Sequence, residues 1–464
     1  MESVNLKKAS LYYLIGNLFN KGISFLTVPI FTRILSTYDY GIVTTYNSYV
    51  TILAMVLGYA LHSGIRIAYI DYKEKFNEFT SSIIIFTVLS STVLSSIVLI
   101  VTYSLKLDIN LLIMVLCLIQ AISTAIIQDY NYYLMMQYKY KVRTMIMILP
   151  NLISVIFSVM AMLMMTKSQL YMGKIVPTAL VNLVFAFMIF VIIVYRGKLR
   201  INFEYVKYGM IISAPLIIHG IALNILSQSD RMMITWLADA SQTGIYSLIY
   251  NFSMIATVIT TSLEGVWVPW FLCKLKLREI NVIQIAAKKY ILLMTVTMVC
   301  LVMVSPEIVK LLASRSYWEG ILIIPPVVLS NLVIFMYTLY VNIEHYYKKT
   351  IYVTINTVIA AILNLFLNYL FIPRFGYVAA AYTTLISYLI SFILHSNYAL
   401  KLEPNIYPLN TFVPYIIQVI IATVIFYIFI DIWYVRWLLM VIYFIGVCIK
   451  EKETIFKLIL NIKK

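Results

Sequence analysis

Apolar runs long enough to cross a bilayer recur along nearly the whole chain, parted only by short polar breaks. About 20 apolar residues in a helix span the roughly 30 Å of hydrocarbon. A helix also satisfies its own backbone hydrogen bonds, which lipid cannot do for it. Fourteen such runs are read at 10–35, 40–66, 79–104, 109–136, 144–166, 170–195, 208–238, 243–272, 288–313, 319–343, 351–372, 377–399, 411–430 and 432–450. Charged residues make up 12% of the chain and hydrophobic ones 62%, where soluble domains carry about 25% charged residues. The predicted fold class is therefore an all-α integral membrane protein with about 14 transmembrane helices. The first run follows Lys7 and Lys8, outlasts a signal-peptide core of roughly 7–15 residues and meets no A-x-A-like cleavage site, so it reads as a retained span.

The net charge of +16 is topological rather than a sign of nucleic-acid binding, because the basic residues collect in alternate segments between the spans. With the N-terminus placed inside, the inner segments hold 25 Lys and Arg and the outer ones 8. Cytoplasmic segments carry the excess of such residues, so both termini are expected in the cytoplasm and the number of spans is expected to be even. Cys117, Cys273, Cys300 and Cys448 show no paired spacing, and His62, His219, His345 and His395 are scattered. Neither a disulfide framework nor a metal site is expected, and no cofactor is predicted.

A weak internal repeat is visible. Asp39-Tyr40-Gly41-Ile42 leads into Tyr46-Asn47, and Gln242-Thr243-Gly244-Ile245 leads into Tyr250-Asn251. Gly41 and Gly244 lie 203 residues apart, as do Gly173 and Gly376. The shared offset suggests two six-helix lobes, 1–200 and 201–405, in parallel pseudo-repeat, followed by two extra C-terminal helices and a tail over 406–464. The competing explanation is that glycine favours the turns that start spans.

Three stretches carry a family resemblance. Pro29-Ile30-Phe31-Thr32-Arg33-Ile34-Leu35-Ser36 with Asp39-Tyr40-Gly41 resembles the first helix and turn of Wzx-type polysaccharide flippases. These belong to the multidrug/oligosaccharidyl-lipid/polysaccharide exporter superfamily. Asp230-Arg231-Met232-Met233-Ile234 with Gly244-Ile245-Tyr246-Ser247 resembles the family's seventh span and turn. Pro373-Arg374-Phe375-Gly376-Tyr377-Val378-Ala379-Ala380-Ala381-Tyr382-Thr383-Thr384 resembles the entry to its twelfth. The resemblance implies two lobes in a V around a central cavity, alternating access, and a place in the bacterial plasma membrane. It implies an anionic cargo, a polyprenyl (undecaprenyl) diphosphate-linked oligosaccharide, moved from inner to outer leaflet for cell-surface polysaccharide. Membrane lipids, a coupling cation (H+ or Na+) and other polysaccharide-assembly membrane proteins are the implied partners. Two rival readings are a drug or cation antiporter of the same superfamily and a membrane glycan polymerase. The short predicted outer loops give catalysis little scaffold, so no catalytic residue is expected.

Ionisable groups inside spans are costly and mark functional positions. Lys21 lies near the predicted bilayer midplane, and Asn17, Lys21 and Ser24 share one helix face. The offset of 203 maps Lys21 onto Asn224, and Asn224, Gln228 and Arg231 form a matching stripe on the seventh span. Two polar stripes suit a central cavity, with Lys21 and Arg231 drawing a diphosphate. Asp230 beside Arg231 serves either the cargo or helix anchoring. Arg66, near His62 at an inner helix end, is placed to meet the incoming diphosphate. Glu264 and Asp129 are the candidates for ion coupling, and each has a structural ion pair or packing role as its alternative. His219 reads as a packing histidine, and tyrosines such as Tyr130, Tyr132 and Tyr133 as interface anchors. Pro29 and Pro215 sit in the first helix of each half, where they permit bending.

Overall fold

A computed structural model describes residues 19, 22–23, 25–106, 110–166 and 169–452. The described residues are almost wholly helical: α1 (Phe25–Ile34), α2 (Thr37–Leu57), α3 (His62–Asp71), α4 (Phe76–Ser104), α5 (Leu111–Met136), α6 (Tyr140–Met164), α7 (Leu170–Gly197), α8 (Phe203–Leu237), α9 (Ala240–Lys276), α10 (Ile280–Leu312), α11 (Ile324–Tyr346), α12 (Thr350–Leu402), α13 (Val413–Ile428) and α14 (Trp433–Lys450). Among the described residues 11 helices are long and apolar enough to cross a membrane, and a bent pair makes a twelfth. That pair is α8, which bends by 51° between Phe203–Ala214 and Leu216–Leu237. Pro215 lies between the two segments, and proline removes an amide N–H from the helical ladder.

α12 has 53 residues, about 80 Å at 1.5 Å per residue, far more than one crossing needs. Its backbone leaves helical geometry at Gly376, at φ 58° and ψ −144°. It is therefore two crossings, matching the spans read at 351–372 and 377–399. α1 is the described part of the first predicted span. α2 and α3 are one crossing with a break at Gly58–Leu61, where Tyr59 and Ala60 have positive φ. The chain is a multi-pass, all-α membrane protein.

Helix starts follow from capping side chains. The Ser36 hydroxyl accepts from the Asp39 amide at 3.1 Å, and the Asp39 carboxylate reaches back to the Ser36 amide, a capping box for α2. Asn110 accepts from the Leu112 and Ile113 amides at the start of α5, and Asn202 from the Glu204 amide at the start of α8.

The chain forms two compact units. Unit 1 comprises Met1–Ser247 with Thr354–Ala380, and unit 2 comprises Leu248–Val353 with Ala381–Lys464. In unit 1, α2 packs on α5 and α8, and α7 packs on α4, α5 and α6. The unit's apolar core includes Leu61, Ile65, Phe79, Ile83, Tyr133 and Ile189, with Phe76 stacked on Tyr133 at 5.3 Å. In unit 2, α10 packs on α11, α13 and α14. The fully buried Arg436 of α14 provides the polar link: Nη1 donates to the Met303 carbonyl of α10 at 2.7 Å, Nη2 pairs with Glu307, and Nε donates to the Phe429 carbonyl at 3.0 Å. Elsewhere α14 turns large apolar side chains outward, among them Leu438, Ile442 and Ile445. That suits a helix bathed in lipid.

Candidate functional site

One face of α2 lies against α8 and the first turns of α9, all within unit 1. Ser48 donates to Gln228 Oε1 at 3.1 Å, and the Thr45 and Thr235 hydroxyls share a hydrogen bond of 2.6 Å. Thr235 in turn bonds Thr243 at 2.7 Å, and Ser247 donates to the Thr44 hydroxyl at 3.0 Å. At this point the backbones touch. A Cβ on Gly41 would stand 1.7 Å from the Ala240 carbonyl oxygen, and one on Gly244 would stand 2.1 Å from that of Thr37. Only glycine permits such an approach.

Gly41 and Gly244 are 203 residues apart and so are Thr44 and Ser247, and the members of each pair meet each other. Positions that share the offset of 203 thus touch here. Asp39 and Gln242 keep the same offset and do the same work. Asp39 Oδ1 accepts from the Tyr171 amide at 3.3 Å, at the start of α7, and Gln242 Oε1 accepts from the Tyr377 amide at 3.0 Å, just past Gly376. Each of these two turn residues thus reaches a distant helix: Asp39 the start of α7, and Gln242 the segment of α12 that follows Gly376.

The predicted stripe on α8 divides its labour. Arg231 is buried, and its Nη1 donates to the Ser227 carbonyl at 3.0 Å and to Gln228 Oε1 at 3.2 Å. Asn224 donates to the Gly220 carbonyl of its own helix at 2.9 Å. Asp230, 1% exposed, uses other partners: Tyr246 donates to Oδ2 at 2.5 Å and Asn368 to Oδ1 at 2.7 Å. Asn368 also donates to Asn364 Oδ1, which accepts from Ser229 as well. A buried carboxylate with charge-stabilising donors is tolerable where a bare one is not.

The remaining predicted residues lie apart from this face. Asn17, Lys21 and Ser24 fall outside the described residues. Arg66 is exposed on α3. Asp129, 2% exposed on α5, accepts from the His62 amide, while its Oδ2 has no hydrogen-bond partner. The His62 ring stacks on Tyr132 at 4.9 Å. Glu264, half-buried on α9 in unit 2, accepts from Thr338.

Sequence reasoning missed several polar partners. Asn364 and Asn368 stand one turn apart within an apolar span, a visible signal of a buried amide pair. Glu344 and His395, both buried in unit 2, form a 2.8 Å contact between Oε2 and Nδ1, with Glu344 Oε1 left without a hydrogen-bond partner. No local pattern joins residues 51 positions apart. The described residues contain no cluster of His, Cys, Asp or Glu suited to a metal ion, and the four cysteines are free.

The sequence profile of a family described as polysaccharide biosynthesis protein matches residues 6–273. No curated protein matches the sequence. Among solved structures, the lipid II flippase MurJ in an inward closed conformation is 17% identical, with a TM-score of 0.67, and the match covers 96% of this chain and 99% of that one. A multidrug-resistance MATE family transporter of the MOP superfamily, in an outward-facing conformation, is 13% identical with a TM-score of 0.57, over 87% of this chain and 98% of that one. A MATE transporter of Vibrio cholerae is 14% identical with a TM-score of 0.55, over 87% and 98%. The fold is that of transporters and flippases of this superfamily.

Proposed function

Because the chain belongs to the polysaccharide biosynthesis protein family, we propose that it flips a polyprenyl (undecaprenyl) diphosphate-linked oligosaccharide from the inner to the outer leaflet of a bacterial plasma membrane by alternating access. The observation that carries this reading is the close contact of Gly41 with Gly244 and of Thr44 with Ser247, with the cation Arg231 buried beside it on α8. With both termini cytoplasmic, the turns at Ser36–Asp39 and Asp239–Gln242 face outward, and the contact is the outer gate in its closed state. A gate made from glycine backbones and a few hydroxyl bonds is cheap to open, which a two-state carrier requires. Lys21 and Arg231 are the cations that meet the diphosphate, with Asn17, Ser24, Asn224 and Gln228 as polar lining and Arg66 as an early contact. Asp129 and Glu264 take the coupling cation, H+ or Na+. The lobes divide at 1–200 and 201–405, and the segment 406–464 carries the additional helices.

A second reading, a drug or cation antiporter, draws on the MATE likenesses. The flippase reading is preferred because the lipid II flippase match extends over 96% of the chain rather than 87%.

The test is flipping of a fluorescent polyprenyl-diphosphate oligosaccharide in proteoliposomes, read by an outside quencher, for the native chain, Lys21→Ala and Arg231→Ala. Flipping by the native chain that is lost in folded variants supports the reading and both cation assignments. Flipping that survives in either variant keeps the function and removes that residue from the path. Uptake of small organic cations with no lipid flipping moves the protein to the antiporter reading.

A further inference from the structure

Basic residues gather at one end of unit 1, and a polar pocket of about 350 Å³ opens among them between the α3–α4 turn and the α5–α6 turn. Lys73 and Glu74 contribute from the first turn, Gln137 and Lys139 from the second, and Asn77 from α4. Three features set this pocket apart from an ordinary solvated surface. First, the Gln137 amide is fixed with its acceptor unmet. Its Nε2 donates to Asn77 Oδ1 at 3.3 Å, the same oxygen accepts from Tyr133 at 2.7 Å, and Gln137 Oε1 is buried without a hydrogen-bond partner. Buried polar atoms are rarely left so. Second, neither Lys73 nor Lys139 forms an ion pair among the described residues, whereas Lys198 at the same end is bound to Glu78 at 2.8 Å. Third, Lys139, whose ammonium lies 5.8 Å from the Tyr133 ring centroid, has a second cation close by: burial and the nearby Arg196 guanidinium hold its ammonium below the usual lysine range.

We propose that this pocket binds a lipid headgroup in which a phosphate carries a polyol. The phosphate sits between Lys73 and Lys139, and the hydroxyls donate to Gln137 Oε1 and to the Glu74 carboxylate. Basic pockets at the cytoplasmic ends of membrane helices hold anionic headgroups. The Glu74 charge repels a bare phosphate and accepts from hydroxyls, so it selects for the polyol. Phosphatidylglycerol in the bilayer and the sugar diphosphate of a lipid-linked saccharide both offer this chemistry. The inference does not depend on flipping.

Native mass spectrometry of the full chain in detergent tests it, by titration with phosphatidylglycerol, phosphatidic acid, phosphatidylcholine and a polyprenyl-diphosphate sugar. Phosphatidylglycerol, the polyprenyl lipid or both should bind more tightly than phosphatidylcholine. The variant K73A/K139A should lose that preference by about 30-fold. Gln137→Leu should weaken the polyol lipids and leave phosphatidic acid unchanged. Whichever lipid shows the lysine-dependent preference is the source of the headgroup. Equal binding of all lipids to the native chain, or a preference untouched by the double lysine change, overturns the proposal. Intact headgroup binding with no flipping would sink the transport reading alone.

Discussion

Adding one methyl group at Gly41 should bias the carrier away from the conformation described here. In that conformation an alanine Cβ would lie 1.7 Å from the Ala240 carbonyl oxygen, and real Cβ contacts do not fall below 3.0 Å. The first turn of α2 must then move from the start of α9 by about 1.3 Å. A shift of that size stretches the 3.0 Å bond between Thr44 and Ser247 beyond hydrogen-bonding range. Overpacking costs about 1–3 kcal/mol, and here it falls only on the state that makes the contact. The population of that state should drop by about 5–150-fold relative to one in which α2 and α9 separate. Disulfide formation between cysteines at 44 and 247 (Thr44→Cys with Ser247→Cys), in a background lacking Cys117, Cys273, Cys300 and Cys448, reports the closed contact, since the two side-chain oxygens are already 3.0 Å apart. Gly41→Ala should slow this oxidation at least fivefold. Gly265→Ala is the control, because nothing lies within 4 Å of a Cβ there. Unchanged cross-linking in a Gly41→Ala protein of unchanged thermal stability would refute the reasoning.

Three further changes test the packing around the site. Arg436→Leu should cost about 3–5 kcal/mol, read as a lower thermal midpoint and faster hydrogen exchange in α14; adding Glu307→Gln should cost less than the two single losses together, and additive losses would argue against a coupled pair. Asp230→Ala removes the acceptor shared by Tyr246 and Asn368 and should lower stability by about 2–4 kcal/mol, with Asp230→Asn milder because one carbonyl oxygen remains; equal losses would show that hydrogen bonding there is unimportant. Gly376→Ala places a side chain at φ 58° and within 2.0 Å of Gln242 Oε1, a strain of about 1–3 kcal/mol; adding Gln242→Ala should relieve the clash but not the backbone part, and full recovery would assign the whole cost to Gln242.

The spans were legible because hydropathy is a property of neighbours in sequence. So was the glycine offset, although its meaning was not. Two readings are open, a repeat or a general liking of turns for glycine, and to the offset the structure adds that Gly41 meets Gly244 and Thr44 meets Ser247. The stripe on α8 was readable from helical spacing, yet spacing could not separate its members. Arg231 turns to Ser227 and Gln228 while its neighbour Asp230 turns to Tyr246 and Asn368, since adjacent helical residues point about 100° apart.

The amino-acid sequence by itself determined that this chain lives in a membrane, where its crossings fall and which polar residues are costly enough to need a reason. Each of those is set by segments of about 20 residues and their solvent. The tertiary structure alone decided which polar groups meet: Asp39 with the start of α7, Asp230 with Asn368, Glu344 with His395, and Arg436 with α10. Their partners lie 51 to 138 residues away. A hydrogen bond needs about 3 Å of proximity, and helix packing, which no local pattern encodes, supplies it.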